Sequence, residues 1–188
     1  YNLVKKVWTS DEKFDFASKF FNTKGTYGKP KPIVHPPIFN AAGSKNGREF
    51  AVYNADFLFT PASDLERSKV EIEELKQAGR EIDRNVSVMT FSHVICRPTQ
   101  EEAQAEWDRQ LSNADTVAVD NLMSLMFAHA QSFPKEVQQS IRDAMSVGHG
   151  GFPLVGTAEQ VAQGLIDLHE AGFRGTTLSF LDYSREFP

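Results

Sequence analysis

Four times along this sequence a short apolar run gives way to an amphipathic or capped stretch, and that alternation limits the fold more than any other feature. The runs are PPIFNAAGS (36–44), FLFT (57–60), NVSVMTFSHVIC (85–96) and TTLSFL (176–181). The third, rich in Val, Met, Phe and Ile, reads as a parallel strand covered on both faces. Between them, GREFAVYNAD (47–56) reads as helical, and SDLERSKVEIEELKQAGRE carries Leu65, Ile72 and Leu75 at helical spacing. After Pro98, Thr99-x-x-Glu102 is a capping box opening EEAQAEWDRQLSNA; Thr157-x-x-Gln160 is a second, opening AEQVAQGLIDLHEA, which Gly172 ends. Strands and helices in alternation imply parallel strands joined by right-handed crossovers.

A (β/α) barrel needs eight such units and about 250 residues, whereas 188 residues carry four. Half a barrel would leave two bare sheet edges, an aggregation hazard. The pattern therefore fits either one half of a barrel completed elsewhere or an open α/β sheet of another kind. The chain begins with Tyr1, and YNLVKKVW reads like the end of a helix already under way, so a fragment is expected. Its length and 40% apolar content suit one domain with a sizeable core.

Two stretches interrupt the alternation. Residues 14–34 mix Phe14, Phe16, Phe20 and Phe21 with Gly25, Gly28, Pro30 and Pro32, which predicts a loop-rich excursion. Residues 115–147 read as two inserted helices divided near Pro134, with an apolar stripe of Leu122, Met123, Met126 and Phe127. VGHGGFPLVG (147–156) reads as mobile, because Gly148, Gly150 and Gly151 add backbone freedom. The span 115–155 is accordingly predicted to be an insertion that serves as a mobile lid.

Composition removes several functions. Twenty basic residues against 25 acidic ones give a net charge of −5, with the cations scattered, which argues against a nucleic-acid partner. No apolar run approaches the roughly 18 residues a membrane helix needs, and no signal-peptide pattern opens the chain. Cys96 cannot pair within the chain and lies in an apolar run, as a buried thiol in a reducing, cytoplasmic protein would. The five histidines, at 35, 93, 129, 149 and 169, have no metal-ligand spacing, so no metal site is expected.

The junction PIFNAAGSKNGREFA concentrates the chemistry. Small residues Ala41, Ala42 and Gly43 admit close approach to the backbone, and Ser44 is placed to cap the following helix, whose first amides point outward unpaired. Such a helix start binds anions, phosphate among them, and in a parallel barrel it lies on the C-terminal face, where active sites form. An ordinary structural cap remains the competing reading. The junction matches neither the P-loop nor the dinucleotide fingerprint. His93 lies near the end of its strand, either aimed at such a pocket or hydrogen-bonded within the core. Asp182 and Tyr183 follow the last strand on the same face.

The stretch VKKVWTSDEKFDFASKFFNTKG, then KPKPIVHPPIFNAAGSKNGREFAVYNADFLF, resembles the region around the fifth and sixth strands of the luciferase-like flavin monooxygenases. LVGTAEQVAQGLIDLHEAGFRGTTLSFLDY is similar to their closing helix and eighth strand, and together the two blocks cover well over a third of the chain. The AGxS-type turn and the ending Phe180, Leu181, Asp182, Tyr183 resemble most the branch of pyrimidine and dimethyl-sulfone monooxygenases. The resemblance implies strands 5 to 8 of a (β/α)8 TIM barrel, with the FMN phosphate held at Gly43, Ser44 and Gly47 and a pocket that draws on His93, Phe180, Asp182 and Tyr183. It further implies reduced FMN and O2 as co-substrates, and a peroxyflavin that oxygenates a small organic molecule. The protein must then keep water from that adduct, which a lid would do. A separate NAD(P)H-dependent flavin reductase and a homodimer or homotetramer are the implied partners. No catalytic acid or base is assigned.

Other readings are a dehydrogenase using the deazaflavin F420 on the same barrel, and a flavin-binding protein without catalysis. A hydrolase with Ser44 as nucleophile lacks the G-x-S-x-G elbow.

Overall fold

The computed structural model describes residues 1–41, 44–62, 64–126 and 135–186. It divides into two compact units, Tyr1–Ile38 and Phe39–Pro188.

The first unit contains helix α1 (Asn2–Thr9) and two strands, β1 (Phe14–Ala17) and β2 (Asn22–Thr26), paired antiparallel with an irregularity between Phe14 and Phe16. The excursion predicted as loop is thus partly a hairpin. Its polar second strand, NTKGT, has no apolar alternation to betray it. Local polar contacts make the reversal instead: Ser18 Oγ accepts from the Phe21 amide at 3.1 Å, and Asp15 Oδ1 accepts from the amide of Gly25, which sits at φ +59°.

The second unit runs β3 (Phe39–Ala41), α2 (Lys45–Asn54), β4 (Phe57–Phe59), α3 (Leu65–Arg80), β5 (Ser87–Cys96), α4 (Gln100–Ser112), α5 (Thr116–Met126), α6 (Lys135–Gly148), β6 (Phe152–Gly156), α7 (Ala158–Glu170), β7 (Gly175–Phe180) and α8 (Tyr183–Glu186). All five strands are parallel. Met89 pairs with both Phe59 of β4 and Gly175 of β7, so those strands flank β5 on opposite sides. Residues 92–94 likewise pair with both β6 and β7. Hence β6 continues on the β4 side, beyond that strand's end. The four expected strands therefore lie side by side in chain order, β3-β4-β5-β7, with β6 as an additional fifth.

That fifth strand corrects the reading of 147–156 as a mobile loop. The glycines there serve close packing: a Cβ on Gly148 would lie 2.4 Å from the His93 Cβ, and one on Gly151 would lie 3.1 Å from the His93 amide nitrogen. Gly150, at φ +79°, turns the chain between them, a conformation open to glycine.

The two faces of the sheet differ. Leu58, Val88, Val94 and Leu154 are buried on one face, where Ile72 and Leu75 of α3 line a small cavity together with Leu58 and Val88, and Gly164 of α7 lies against Leu154. Burial of this kind is worth about 1.5–3 kcal/mol per side chain. The opposite face carries two stacked ring pairs, Phe39–Phe57 with centroids 4.5 Å apart and Phe59–Phe91 at 5.8 Å, and Phe39 is 52% exposed.

Helix starts follow the sequence. The Thr157–Gln160 box closes in both directions, whereas for α4 only the Thr99 hydroxyl accepting from the Glu102 amide is present among the described residues. Of the predicted apolar stripe, Phe127 lies outside the described residues.

Candidate functional site

Parallel strands end on one common edge, and the chain leaves that edge through Ser44 after β3, Thr60 after β4, Arg97 after β5 and Asp182 after β7. Ala41, Phe59, Met89 and Gly175 form one row across the sheet. His93 and Ser179 pair with each other four residues beyond Met89 and Gly175, roughly 13 Å further along at about 3.3 Å per residue.

At the β3 end, Ser44 is the N-cap of α2, extended at φ −78° and ψ 156°, with its Oγ accepting from the Gly47 amide at 3.2 Å. The amides of Lys45 and Asn46 have no intrahelical partner by helix geometry. The first turn of α2 contains no acidic residue, whereas α3, α4 and α7 begin with Glu66, with Glu101 and Glu102, and with Glu159. Those carboxylates answer the positive end of their own helices. At α7 the effect is visible, because the Glu159 carboxyl is held below its usual value by hydrogen bonds from its own backbone amide and from Thr157. The start of α2 keeps its positive potential and adds the Lys45 side chain. Arg48, one turn in, is occupied by Glu71 at 2.8 Å. Gly43 lies outside the described residues.

His93 is 6% exposed. Its Nδ1 is 3.1 Å from Ser179 Oγ, and the Ser179 hydroxyl donates to the Ser92 carbonyl at 3.3 Å. Nε2 is buried without a hydrogen bond among the described residues. Burial pushes the ring below its ordinary value, against the opposing influence of the Glu186 carboxylate and the Gln110 side chain. On the other face of β5, Ser92 Oγ and Thr176 Oγ1 are 2.8 Å apart.

After β7, Asp182 caps the short α8 by accepting from the Ser184 amide at 3.0 Å. Glu186, its side chain 2% exposed, accepts from the amides of Leu181 and Asp182 and pairs with Arg97. Arg97 also donates to the Cys96 carbonyl at 2.8 Å. The segment after the last strand is thereby tied to the end of β5.

Residues 1–175 match the family model of luciferase-like monooxygenases. The chain belongs to that family. Among curated relatives it is 24% identical over 188 residues to an FMNH2-dependent dimethylsulfone monooxygenase of Pseudomonas fluorescens, covering 97% of this chain and 51% of that protein. It is 26% identical over 186 residues to the pyrimidine monooxygenase RutA of Acinetobacter baylyi, covering 96% and 50%. Among solved structures, DmoA from Hyphomicrobium sulfonivorans shares the fold with a TM-score of 0.77 at 20% identity, over 95% of this chain and 49% of that one. The chain thus spans about half the length of the curated relatives it matches.

Within this luciferase-like chain, the residues singled out from sequence fall into three groups. Ser44 and Gly47 are joined by a hydrogen bond, which leaves the Gly47 amide engaged with the serine rather than with a ligand. His93 stands at the edge beside Ser179, a residue the sequence did not single out. Phe180 pairs with Val94, so alternation sends its side chain to the face opposite His93. It meets Tyr183 edge to face at 5.4 Å. Arg97 and Glu186, 89 positions apart, gave no local signal. The buried polar series Thr90, Ser92 and His93 inside an apolar strand was the available hint that β5 carries more than packing.

Proposed function

We propose that the protein is a reduced-FMN-dependent, two-component monooxygenase, with this chain providing strands 5 to 8 of a (β/α)8 barrel. The observation that carries the reading is the serine-capped, acid-free start of α2 at the C-terminal edge of a parallel sheet, in a chain of the luciferase-like family. A dianionic phosphate suits that helix start: the Ser44 hydroxyl, the Lys45 and Asn46 amides and the Lys45 ammonium are the groups to hold it. Gly47 acts by fixing Ser44, and Gly43, which has no side chain, is the further residue assigned to the phosphate. The FMN, when bound and reduced, supplies the electrons with which O2 is activated.

The chain's own residues bind and enclose. His93, Asp182 and Tyr183 lie at the edge where a small organic substrate would meet the cofactor, and Phe180 supports the Tyr183 ring. Helices α5 and α6, clamped by Arg142 and Asp120 at 2.8 and 3.2 Å, form the cover that excludes water. Sulfones and pyrimidines are the substrate classes suggested by the relatives. A separate NAD(P)H-dependent flavin reductase supplies the reduced flavin, and the barrel assembles as a homodimer or homotetramer.

The test is a titration of the full-length protein with FMN and reduced FMN, then oxygen uptake with and without a flavin reductase. Ser44→Ala is expected to weaken flavin binding roughly ten-fold, about 1.4 kcal/mol. Failure of either flavin form to bind would remove the cofactor assignment. Absorbance of a bound deazaflavin would redirect it to F420 and to a dehydrogenase.

A further inference from the structure

The imidazole of His93 is more tightly specified than packing requires. One nitrogen, Nδ1, faces Ser179 Oγ, whose single proton goes to the Ser92 carbonyl, an acceptor only. The hydroxyl therefore offers Nδ1 a lone pair, and the neutral ring that fits carries its proton on Nδ1. The ring is also fixed sterically. The vacant Cβ position of Gly148 is 2.4 Å from the His93 Cβ and 2.6 Å from its Cγ, so α6 reaches the ring only because residue 148 has no side chain.

With the proton on Nδ1, Nε2 is a bare acceptor, buried and unpaired among the described residues. Such an orphan is costly, and native proteins keep few of them. Gln110 makes no hydrogen bond to it among the described residues, and its side-chain amide donates instead to Glu106 Oε1 at 3.3 Å. A nitrogen held bare by a hydrogen-bonded serine, at the edge where the strands of the sheet end, is prepared for a donor from outside the chain.

We propose that His93 Nε2 accepts a hydrogen bond from an N–H or O–H of the ligand bound at this edge, with Ser179 and Gly148 as positioning residues that set the tautomer and place the ring. The proposal rests on the flavin-monooxygenase reading of the site. It deepens that reading by assigning the ligand's chemistry at this point: a donor is accepted, and a sulfonyl or carbonyl oxygen, which would face a lone pair, is disfavoured. The donor comes either from the flavin ring or from the substrate, and the experiment separates the two.

The full-length protein is labelled with 15N-histidine, the His93 signals are identified by their loss in His93→Gln, and spectra are recorded at neutral pH. Oxidised and then reduced FMN are added, followed by uracil, which has N–H donors, or dimethyl sulfone, which has none. The free protein is expected to show a neutral ring protonated at Nδ1. A change at Nε2 with flavin alone makes the cofactor the donor; a change with uracil over the flavin complex, and not with dimethyl sulfone, makes it the substrate. His93→Gln and Ser179→Ala should each weaken the ligand that moves Nε2 about ten-fold, and Ser179→Ala keeps the ring should the first variant fold poorly. A ring protonated at Nε2 and donating to Gln110, or an Nε2 signal unmoved by every addition, overturns the proposal. Flavin binding is followed separately by fluorescence. Absence of binding sinks the cofactor reading, while the tautomer of the free protein still judges the assignment made to Ser179.

Discussion

At the scale of single residues, the tightest arrangements lie where strands end. His93 should leave a mark on acid stability. Burial holds its native pKa below the ordinary value of about 6.5, outweighing Glu186 and Gln110. The unfolded chain takes up the proton first as pH falls. Stability is therefore complete above about pH 6.5 and declines below it, until the native ring is protonated as well. Thermal unfolding of the full-length protein across pH 5 to 8 should show that decline, and His93→Gln should flatten it; an unchanged acid limb in the variant would exclude His93 as its source. Arg97 and Glu186 act through a different balance. Replacing Arg97 by Met strands a carboxylate whose side chain is 2% exposed. A loss of about 3–5 kcal/mol is expected in denaturant unfolding, and a loss under 1 kcal/mol would mean that the pair behaves as a surface bridge.

At the scale of elements, the sequence disclosed what recurs locally and concealed what depends on distant partners. β5 was legible because it is rich in Val, Met, Phe and Ile between turn signals, and α7 because its capping box and Gly172 mark both ends. Ser44 was legible because a small-residue turn before a helix has a local pattern. β6 was concealed: Gly148, Gly150 and Gly151 weigh toward flexibility when read alone, and only their neighbours in the fold, the His93 side chain at Gly148, Met145 at Gly150 and the Phe91 ring at Gly151, explain why they are needed. Ser179 was concealed for the same reason, since its meaning comes from a strand 86 residues earlier. These contacts predict that Gly148→Ala is costly. The methyl would overlap the Cβ of His93, whose place the backbone fixes, and the Cγ beyond it. Overpacking of that kind costs about 1–3 kcal/mol. The same variant should change the 15N-histidine signals of His93. Gly164→Ala is the control, because its methyl meets the Leu154 Cδ2 atom, the movable end of a side chain, at 2.5 Å. Equal losses for the two variants would show that α6 does not press on the ring.

At the scale of the whole molecule, the sheet poses a question of solubility. Strands β3, β6 and β7 each pair on one side only among the described residues, and parallel strands of this kind leave backbone donors and acceptors unpaired along each outer side. The face carrying Phe39, Phe57, Phe59 and Phe91 presents stacked rings, with Phe39 52% exposed. Contiguous apolar area of this sort in a water-soluble protein marks an interaction face or an aggregation liability. In a closed barrel the same rings would fill the interior, where side chains stack in layers. Residues 1–188 prepared alone should therefore self-associate in sedimentation and bind an apolar-sensitive dye. Phe39→Ser with Phe57→Ser should reduce both signals, since the two rings stack across β3 and β4 at one side of the sheet. The same pair of substitutions in the full-length protein should lower stability instead, by several kcal/mol, because Phe→Ala changes in a core already cost about 3–5 kcal/mol each. The opposite signs in the two settings are what separate a barrel interior from an open sheet. A 188-residue chain that remains monomeric and dye-silent would mean that this face is covered without a barrel around it.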